Sequence, residues 1–306
     1  MSTNAFFEHC KQDISANFEA FNQHPGEIGN CKKMLPLKLL NTNYDGLAVV
    51  FSHGTQDIHQ KQIEKEFACL SYLKNQGYAV VPVIGSPFVV QSKHEQERYG
   101  MLMPYIEGVF IEAKTPTPLN LLILSGLLGI GVSPKENWIA QNLQALEQSI
   151  RTKLQNCNME LLREKAIKLG GEFKRILDKV NNSDEMIVDL QMIITQSGEL
   201  TIIDPMDVVD LKNYQSYVEI SPTIPSKELP RFLTQTKNWL AQANLFCQII
   251  AKATYAQELL PFVSLHSGPL VFSQTDPKQK SRLAQLKSGK TSPRSSPLQA
   301  PFKFKY

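Results

Sequence analysis

Apolar residues recur along this chain with two different spacings. Short runs of β-branched and other apolar residues dominate the first hundred residues, whereas a spacing of three to four residues prevails over much of the rest. The first pattern predicts strands and the second predicts amphipathic helices. In the first part we predict a helix over residues 1–23, strands at 34–40, 47–51, 79–84 and 99–104, and a helix at 56–76. In the second part we predict helices at 119–128, 135–155, 159–180 and 226–251, and a β-hairpin at 186–205.

This order of elements predicts a two-lobed α+β fold, with a small β-rich N-terminal lobe and a mostly helical C-terminal lobe. A Pro-rich stretch between Pro104 and Pro118 marks the boundary between the lobes. We therefore divide the chain into an N-terminal helix (1–24), an N-terminal lobe (25–108), a helical C-terminal lobe (109–272) that contains the hairpin, and a tail (273–306).

The composition is typical of a soluble globular protein, since 42% of the 306 residues are hydrophobic and 20% are charged. No apolar run in the sequence approaches the roughly 20 residues that span a bilayer. The first residues lack a basic segment followed by an apolar core, so we expect no secretory signal peptide. The five cysteines are scattered and form no CxxC pair, which indicates reduced thiols in a cytosolic environment.

The formal net charge of +3 is unevenly distributed along the chain. Residues 273–306 carry eight Lys and Arg against one Asp, a net charge of +7, which leaves the remaining residues at −4. This tail is rich in Ser, Pro, Lys and Gln, and it has too few apolar residues to offset the entropy of ordering, so we predict that it is mostly disordered. Three roles stay open for it: a solvated terminus, a secretion or targeting signal, or an electrostatic contact with an anionic membrane or partner.

The predicted hairpin carries the candidate chemistry of the chain. Its turn at Gln196-Ser197-Gly198 joins two β-branched runs, and each run has an acid at its edge. The hairpin would bring Asp189 and Asp204 to the same end of one sheet. Two acids at the end of a buried hairpin suit metal–phosphate chemistry, and the alternative is an ordinary hairpin with solvated acids.

The order of elements, together with the local sequence, resembles the protein-kinase-like superfamily, especially divergent bacterial effector kinases and small-molecule kinases. The segment around Glu66 resembles the helix whose Glu orients the phosphate-binding Lys, with Glu64 as the second candidate. Residues 99–108 resemble the strand and hinge that hold adenine through backbone hydrogen bonds. This part of the resemblance assigns Met103 and Tyr105 to nucleotide binding.

Two later segments extend the resemblance. Residues 187–191 resemble a contracted catalytic loop, and residues 202–205 resemble the segment of the metal-binding Asp, with Pro where protein kinases have Phe. The resemblance implies that Asp204 holds Mg²⁺ against the phosphates of ATP, that Gln191 completes the metal sphere through its amide oxygen, and that Asp189 acts as the base.

The chain departs from the family pattern in two places. Val50 stands where the third kinase strand carries its Lys, so we assign the phosphate-binding role to Lys38 on the preceding strand, with Lys32 and Lys33 as alternatives. The pattern H-R-D-x-x-x-x-N is also absent around Asp189.

The resemblance implies a kinase-like bacterial effector that binds ATP with Mg²⁺ and transfers phosphate to a hydroxyl of a host protein or a phosphoinositide. Such an effector would reside in the bacterial cytoplasm before secretion without a cleaved signal peptide, and in the host cytosol afterwards. We expect a monomer and no nucleic-acid partner. Two alternatives stay open: a catalytically inactive pseudokinase that acts as a binding module, which Val50 favours, and a non-kinase α+β interaction protein. Whether the chain is an enzyme is therefore undecided by the sequence.

Overall fold

The described residues form a mixed α+β fold with small antiparallel sheets, as predicted for the fold class. The computed structural model describes residues 3–24, 27–28, 32–52, 57–91, 97–115, 117–130, 158–218 and 227–254. These residues belong to one compact unit, Met1–Thr254, which includes parts of three predicted segments: the N-terminal helix and the two lobes. The predicted helix at 135–155 and the predicted tail at 273–306 lie outside the described residues.

A five-stranded antiparallel sheet dominates the first part of the chain. Its strands are β1 (Glu27–Ile28), β2 (Lys32–Pro36), β3 (Leu47–Ser52), β4 (Ile84–Gln91) and β5 (Glu97–Pro104). They lie in the order β1–β2–β3–β5–β4. The central strand β3 is buried over five of its six residues, which explains why its sequence is a nearly continuous apolar run.

Both faces of this sheet are covered by helices. These are α1 (Thr3–Ala16), α2 (Phe18–Gln23) and α3 (Asp57–Asn75). Successive residues of a strand point to opposite faces. On one face, Phe51 packs edge to face against Phe18 of α2, with 5.2 Å between the ring centroids. On the other face, its neighbour Val50 packs with Ile63 and Leu70 of α3.

Helices and two further small sheets form the second part of the unit. The helices are α4 (Thr117–Leu127), α5 (Met159–Asn182) and α6 (Leu229–Thr254). The strands are β6 (Val109–Glu112), β7 (Glu185–Val188), β8 (Gln191–Ile194), β9 (Leu200–Ile203), β10 (Asp207–Asp210) and β11 (Gln215–Ser216). They pair as β6–β8–β9 and as β7–β10–β11, in both cases antiparallel. The buried rings of Phe173 in α5 and Trp239 in α6 pack edge to face in the core between these helices, with 5.7 Å between the ring centroids.

Helix α3 connects the two parts. Whereas Ile63 and Leu70 pack against the five-stranded sheet, Cys69 and Leu73 belong to the core of the second part. Just beyond α3, the backbone at Val80 forms an isolated parallel bridge with Ile202 of β9. The orientation of α3 is therefore coupled to both parts.

Most of the predicted elements are confirmed to within a few residues, but four differ. The predicted helix at 1–23 is two helices, α1 and α2, separated at Asn17. The predicted strand at 79–84 is wrong, because Pro82 has no N–H to donate and the segment makes only the bridge at Val80 before β4 begins. The predicted strand at 34–40 ends at Pro36 and continues as a single 3₁₀ turn. The first run of the hairpin is broken at Asp189 into β7 and β8. None of the described helices is both long enough and apolar enough to cross a membrane.

Candidate functional site

Lys32, Glu66 and Asp204 converge on one point of the molecule. The Nζ of Lys32 donates to Oε2 of Glu66 at 2.5 Å and also donates to Oδ1 of Asp204. These residues come from β2, from α3 and from the position that follows β9. The side chain of Glu66 is 4% exposed and that of Lys32 is 16% exposed. The side chain of Asp204 is 39% exposed, so one ammonium group bridges a buried carboxylate and a partly exposed one. We call these three residues the Lys32 triad.

The strand register explains why Lys32 faces α3. Met34 of β2 lies opposite Val50 of β3, and both pack in the hydrophobic cluster beneath α3. Lys32 precedes Met34 by two residues in the same strand, so its side chain lies on the same face of the sheet. Glu66 lies one helical turn before Leu70, which belongs to that cluster. The ammonium group of Lys32 and the carboxylate of Glu66 therefore meet beside the apolar contact between the sheet and α3.

When both acids are ionised, the Lys32 triad has two negative charges against one positive charge. Burial raises the pKa of the Glu66 carboxyl, the nearby Lys32 opposes that shift, and the charge of Asp204 adds to it. For Lys32, burial acts to lower the pKa, but the charges of Glu66 and Asp204 outweigh burial and raise it above its ordinary value. Lys32 therefore keeps its positive charge and shares it between two acids. A further cation next to Asp204 would be electrostatically favoured.

Asp189 lies in a second polar group, the Asp189 cluster, with Gln191, Lys114 and Glu112. The Nζ of Lys114 lies 3.0 Å from Oδ1 and 3.1 Å from Oδ2 of Asp189. The side-chain amide of Gln191 donates to Oδ2 of Asp189 at 2.7 Å. Lys114 also lies 3.6 Å from Oε2 of Glu112. The Asp189 carboxylate is thus held in place by two side chains.

The hairpin brings the two clusters to the same end of the β6–β8–β9 sheet, as the sequence predicts for Asp189 and Asp204. Gln191 at the start of β8 lies opposite both Ile203 at the end of β9 and Glu112 at the end of β6. Burial raises the pKa of Glu112, Lys114 opposes the shift, and the charges of both Asp189 and Asp204 add to it. Glu112 is therefore close enough to interact electrostatically with both acids.

Both predicted acids occupy the left-handed region of the backbone. The φ angle is 56° at Asp189 and 46° at Asp204, and Tyr214 is the only other described non-glycine residue with a positive φ. This conformation is uncommon outside glycine and costs roughly 1–2 kcal/mol for an L-residue, although Asp tolerates it better than most. Such strained residues cluster at functional sites. Both acids that the sequence pattern selected are thus among the three described non-glycine residues with this backbone conformation.

The residues assigned to nucleotide binding lie near the end of β5. Met103 is buried in the cluster beneath α3 that also contains Val50. The backbone N–H of Tyr105 donates to the carbonyl of Gly46 at 2.8 Å, so this N–H is already bonded within the protein.

Lys38 lies outside the Lys32 triad. It follows the end of β2 on the 3₁₀ turn, and its Nζ lies 5.7 Å from the centre of the Tyr105 ring. The contact with Glu66 that we expected of the phosphate-binding Lys is made by Lys32, because Lys32 lies within the strand on the face toward α3.

A second ion pair beside the Lys32 triad was missed by the sequence reasoning. The Nζ of Lys65 in α3 lies 2.5 Å from Oδ2 of Asp207 at the start of β10, and both residues are buried. The other oxygen of Asp207 accepts hydrogen bonds from Ser216 Oγ at 2.6 Å and from the backbone N–H of Val208 at 2.8 Å. The two partners are 142 positions apart, so no local sequence pattern pairs them.

The oxygen donors near the hairpin end suit Mg²⁺. Across the described ranges, no three His, Cys, Asp or Glu side chains assemble into a ready-made metal centre. Mg²⁺ at nucleotide sites is usually held by one or two carboxylates together with phosphates and water, and it prefers hard oxygen ligands. The carboxylate of Asp204 and the amide oxygen of Gln191 supply such ligands, so the residues present fit this ion.

No protein-family model and no curated protein matches this chain. The functional interpretation therefore depends on the geometry of these clusters and on the local sequence.

Proposed function

We propose that this chain is a divergent kinase-like phosphotransferase that binds ATP with Mg²⁺ between two lobes. The observation that carries the proposal is the simultaneous contact of Lys32 with Glu66 and Asp204. Phosphoryl-transfer sites of the kinase type require a strand Lys paired with a helix Glu, next to an Asp that binds Mg²⁺. Here three residues of those types come together from distant parts of the chain.

The order of elements also supports a kinase-like layout. Helix α3, which carries the Glu, follows β3 and precedes β4 and β5 in the five-stranded antiparallel sheet. The hydrophobic residues of that sheet cluster with α1, α2 and α3, whereas a separate and larger cluster fills the second part of the unit. Two lobes joined near α3 would each need a hydrophobic core of their own, and these separate clusters meet that need.

Each polar residue has a defined task under this proposal. Lys32 binds phosphate oxygens, and Glu66 holds the Lys32 side chain in position. Asp204 and Gln191 would hold Mg²⁺, which would supply positive charge against the phosphates of ATP. Asp189 accepts the proton of the acceptor hydroxyl at a carboxylate oxygen.

Thermal unfolding with and without Mg-ATP tests the nucleotide site. A ligand at 100 times its Kd stabilises the folded state by about 2.7 kcal/mol, so the wild type should melt at a clearly higher temperature. Asp204→Asn should lose the Mg²⁺-dependent part of this shift. The control Asp178→Asn removes an acid of an exposed ion pair on α5 and should keep the full shift. A wild type that Mg-ATP does not stabilise would exclude nucleotide binding and favour the non-kinase interaction protein.

A second candidate function is nucleotide binding without transfer. The observation that favours it is the contact of Lys114 with both carboxylate oxygens of Asp189, the proposed base. Incubation with γ-labelled ATP and host-cell extract separates the two functions. Label incorporation that disappears in Asp189→Asn supports transfer, whereas Mg-ATP binding without incorporation supports an inactive binding module.

The acceptor and the setting of the reaction are proposed from the family resemblance. We propose a hydroxyl of a host protein or of a phosphoinositide as the acceptor, in the host cytosol after secretion. The net charge of +7 over residues 273–306 would attract the chain to an anionic membrane. Parallel transfer assays with host extract and with phosphoinositide vesicles, each compared with Asp189→Asn, distinguish the two acceptors.

A further inference from the structure

Helix α3 contacts the connection between β9 and β10 through two adjacent charged residues. Glu66 reaches Asp204 at the start of this connection through the Nζ of Lys32. Lys65 reaches Asp207, three residues further along, by a direct bond of 2.5 Å. Neighbouring positions of one helix thus engage both ends of the same short segment.

The Lys65–Asp207 pair is rigidly held. Lys65 is 7% exposed and Asp207 is fully buried. Asp207 also accepts from Ser216 and from the backbone of Val208, so its two oxygens are both engaged. A buried charge that loses its partner is strongly destabilising, so this pair permits little displacement of α3 relative to β10.

We propose that Lys65 and Asp207 are positioning residues that hold Glu66 against Lys32. Adjacent helical residues are rotated by about 100° and displaced by about 1.5 Å. A rotation or a shift of α3 that withdrew Glu66 from Lys32 would therefore also break the Lys65–Asp207 pair. The inference rests on the proposed function, because it assigns the pair to the orientation in which Lys32 binds phosphate.

The first test measures the Lys32–Glu66 contact without any nucleotide. Mass spectrometry of the full-length protein gives the acetylation rate of the Lys32 amine, which its ion pairs protect. In Lys65→Met/Asp207→Asn, which removes both buried charges together, the rate should rise by about tenfold, since hydrogen bonds to charged groups contribute at least that factor. Unchanged protection of Lys32 in the folded double variant would overturn the proposal.

A matched control separates positioning from general loosening of α3. The hydroxyl of Tyr72, also on α3, donates to Glu185 of β7 at 2.8 Å. Tyr72→Phe removes this tie between α3 and the second part of the unit, but it should leave the Lys32 rate unchanged. An equal increase in Tyr72→Phe would overturn the specific role of Lys65 and Asp207.

A second variant keeps the test decisive if the double variant does not fold. Asp207→Glu retains both charges and displaces the carboxylate by one methylene, so we expect a smaller but measurable increase in the Lys32 rate. Protection of Lys32 at the wild-type level in Asp207→Glu would overturn the proposal in that case.

The second test measures Mg-ATP affinity by calorimetry. The variant in which the Lys32 amine is acetylated faster, either Lys65→Met/Asp207→Asn or Asp207→Glu, should bind Mg-ATP about tenfold more weakly. Tyr72→Phe should bind Mg-ATP like the wild type. A wild type that binds no Mg-ATP refutes the proposed function, and the acetylation rates then still decide whether Lys65 and Asp207 position Glu66. Unchanged Mg-ATP affinity in a variant whose Lys32 is acetylated faster would refute the link between the Lys65–Asp207 pair and nucleotide binding.

Discussion

Replacement of Lys32 by Met should destabilise the protein strongly, and more so at higher pH. The variant leaves the buried Glu66 carboxyl and the adjacent Asp204 without their shared cation. Loss of one partner of a buried ion pair costs about 3–5 kcal/mol. We expect the lower end, about 3 kcal/mol near pH 7, because Glu66 can reduce the cost by binding a proton.

The sign of the pH dependence follows from the pKa of Glu66. Burial raises this pKa above its value in the unfolded chain, and Lys32 opposes the shift, so the variant has the larger shift. A group with a raised pKa in the folded state contributes its full stability below the unfolded pKa and loses it as the pH rises through the folded pKa. The deficit of Lys32→Met should therefore be larger at about pH 8 than at about pH 5, by up to about 1.4 kcal/mol for each unit of additional pKa shift.

Urea denaturation at the two pH values measures this effect, with tryptophan fluorescence as the signal. Trp239 is fully buried and should report loss of the core. Lys38→Met is the matched control, because Lys38 is exposed and its loss should change the unfolding free energy by no more than about 0.5 kcal/mol. If Lys32→Met were no less stable than Lys38→Met, or if its deficit did not grow with pH, the Lys32 triad would not exist as described.

Four further variants test the site and the fold. Asp189→Asn should lower labelled-phosphate transfer by about 10² or more while the thermal shift with Mg-ATP persists, and unchanged transfer would exclude Asp189 as the base. Gly85→Ala should cost about 2 kcal/mol or more in thermal melts, because φ is 73° and a Cβ would lie 2.6 Å from the Phe7 ring. Gly46→Ala, with φ of 79° and open space around the Cβ, should cost only about 1 kcal/mol, and equal costs would contradict the contact with Phe7. Phe173→Ala should cost about 3–5 kcal/mol in urea, since the ring is fully buried, and a loss below about 1 kcal/mol would contradict its place in the core.

The amphipathic helices and the hairpin acids can be predicted from the sequence because both depend on local patterns. Helix α5 has apolar residues at helical spacing, and it begins after Asn158, whose side chain accepts from the backbone of Leu161. In the hairpin, the turn sets the pairing of β8 with β9. Counting outward from the turn then brings Asp189 and Asp204 to the same end of the sheet.

Which Lys contacts Glu66 could not be predicted in this way. Lys32 and Lys38 are six positions apart in one segment, and their different placement comes from the end of β2 at Pro36 and from the pairing of β2 with β3. The pair of Lys65 with Asp207 depends on how α3 packs on β10, which no periodicity in either segment reveals. These contacts are consequences of tertiary packing, so the sequence limits the candidates without selecting among them.

Val50 at the expected Lys position is therefore a weaker argument for an inactive protein than the sequence suggested. Val50 packs beneath α3, and the neighbouring strand β2, which pairs antiparallel with β3, lies at a spacing of about 4.8 Å. A Lys side chain has a flexible four-carbon stem, which is long enough to span that spacing. Lys32 can thus bring its ammonium group to Glu66 from the adjacent strand while its own backbone stays in β2. Under the proposed function, Asp189 with its Lys114 contact, rather than Val50, therefore distinguishes an active enzyme from an inactive binding module.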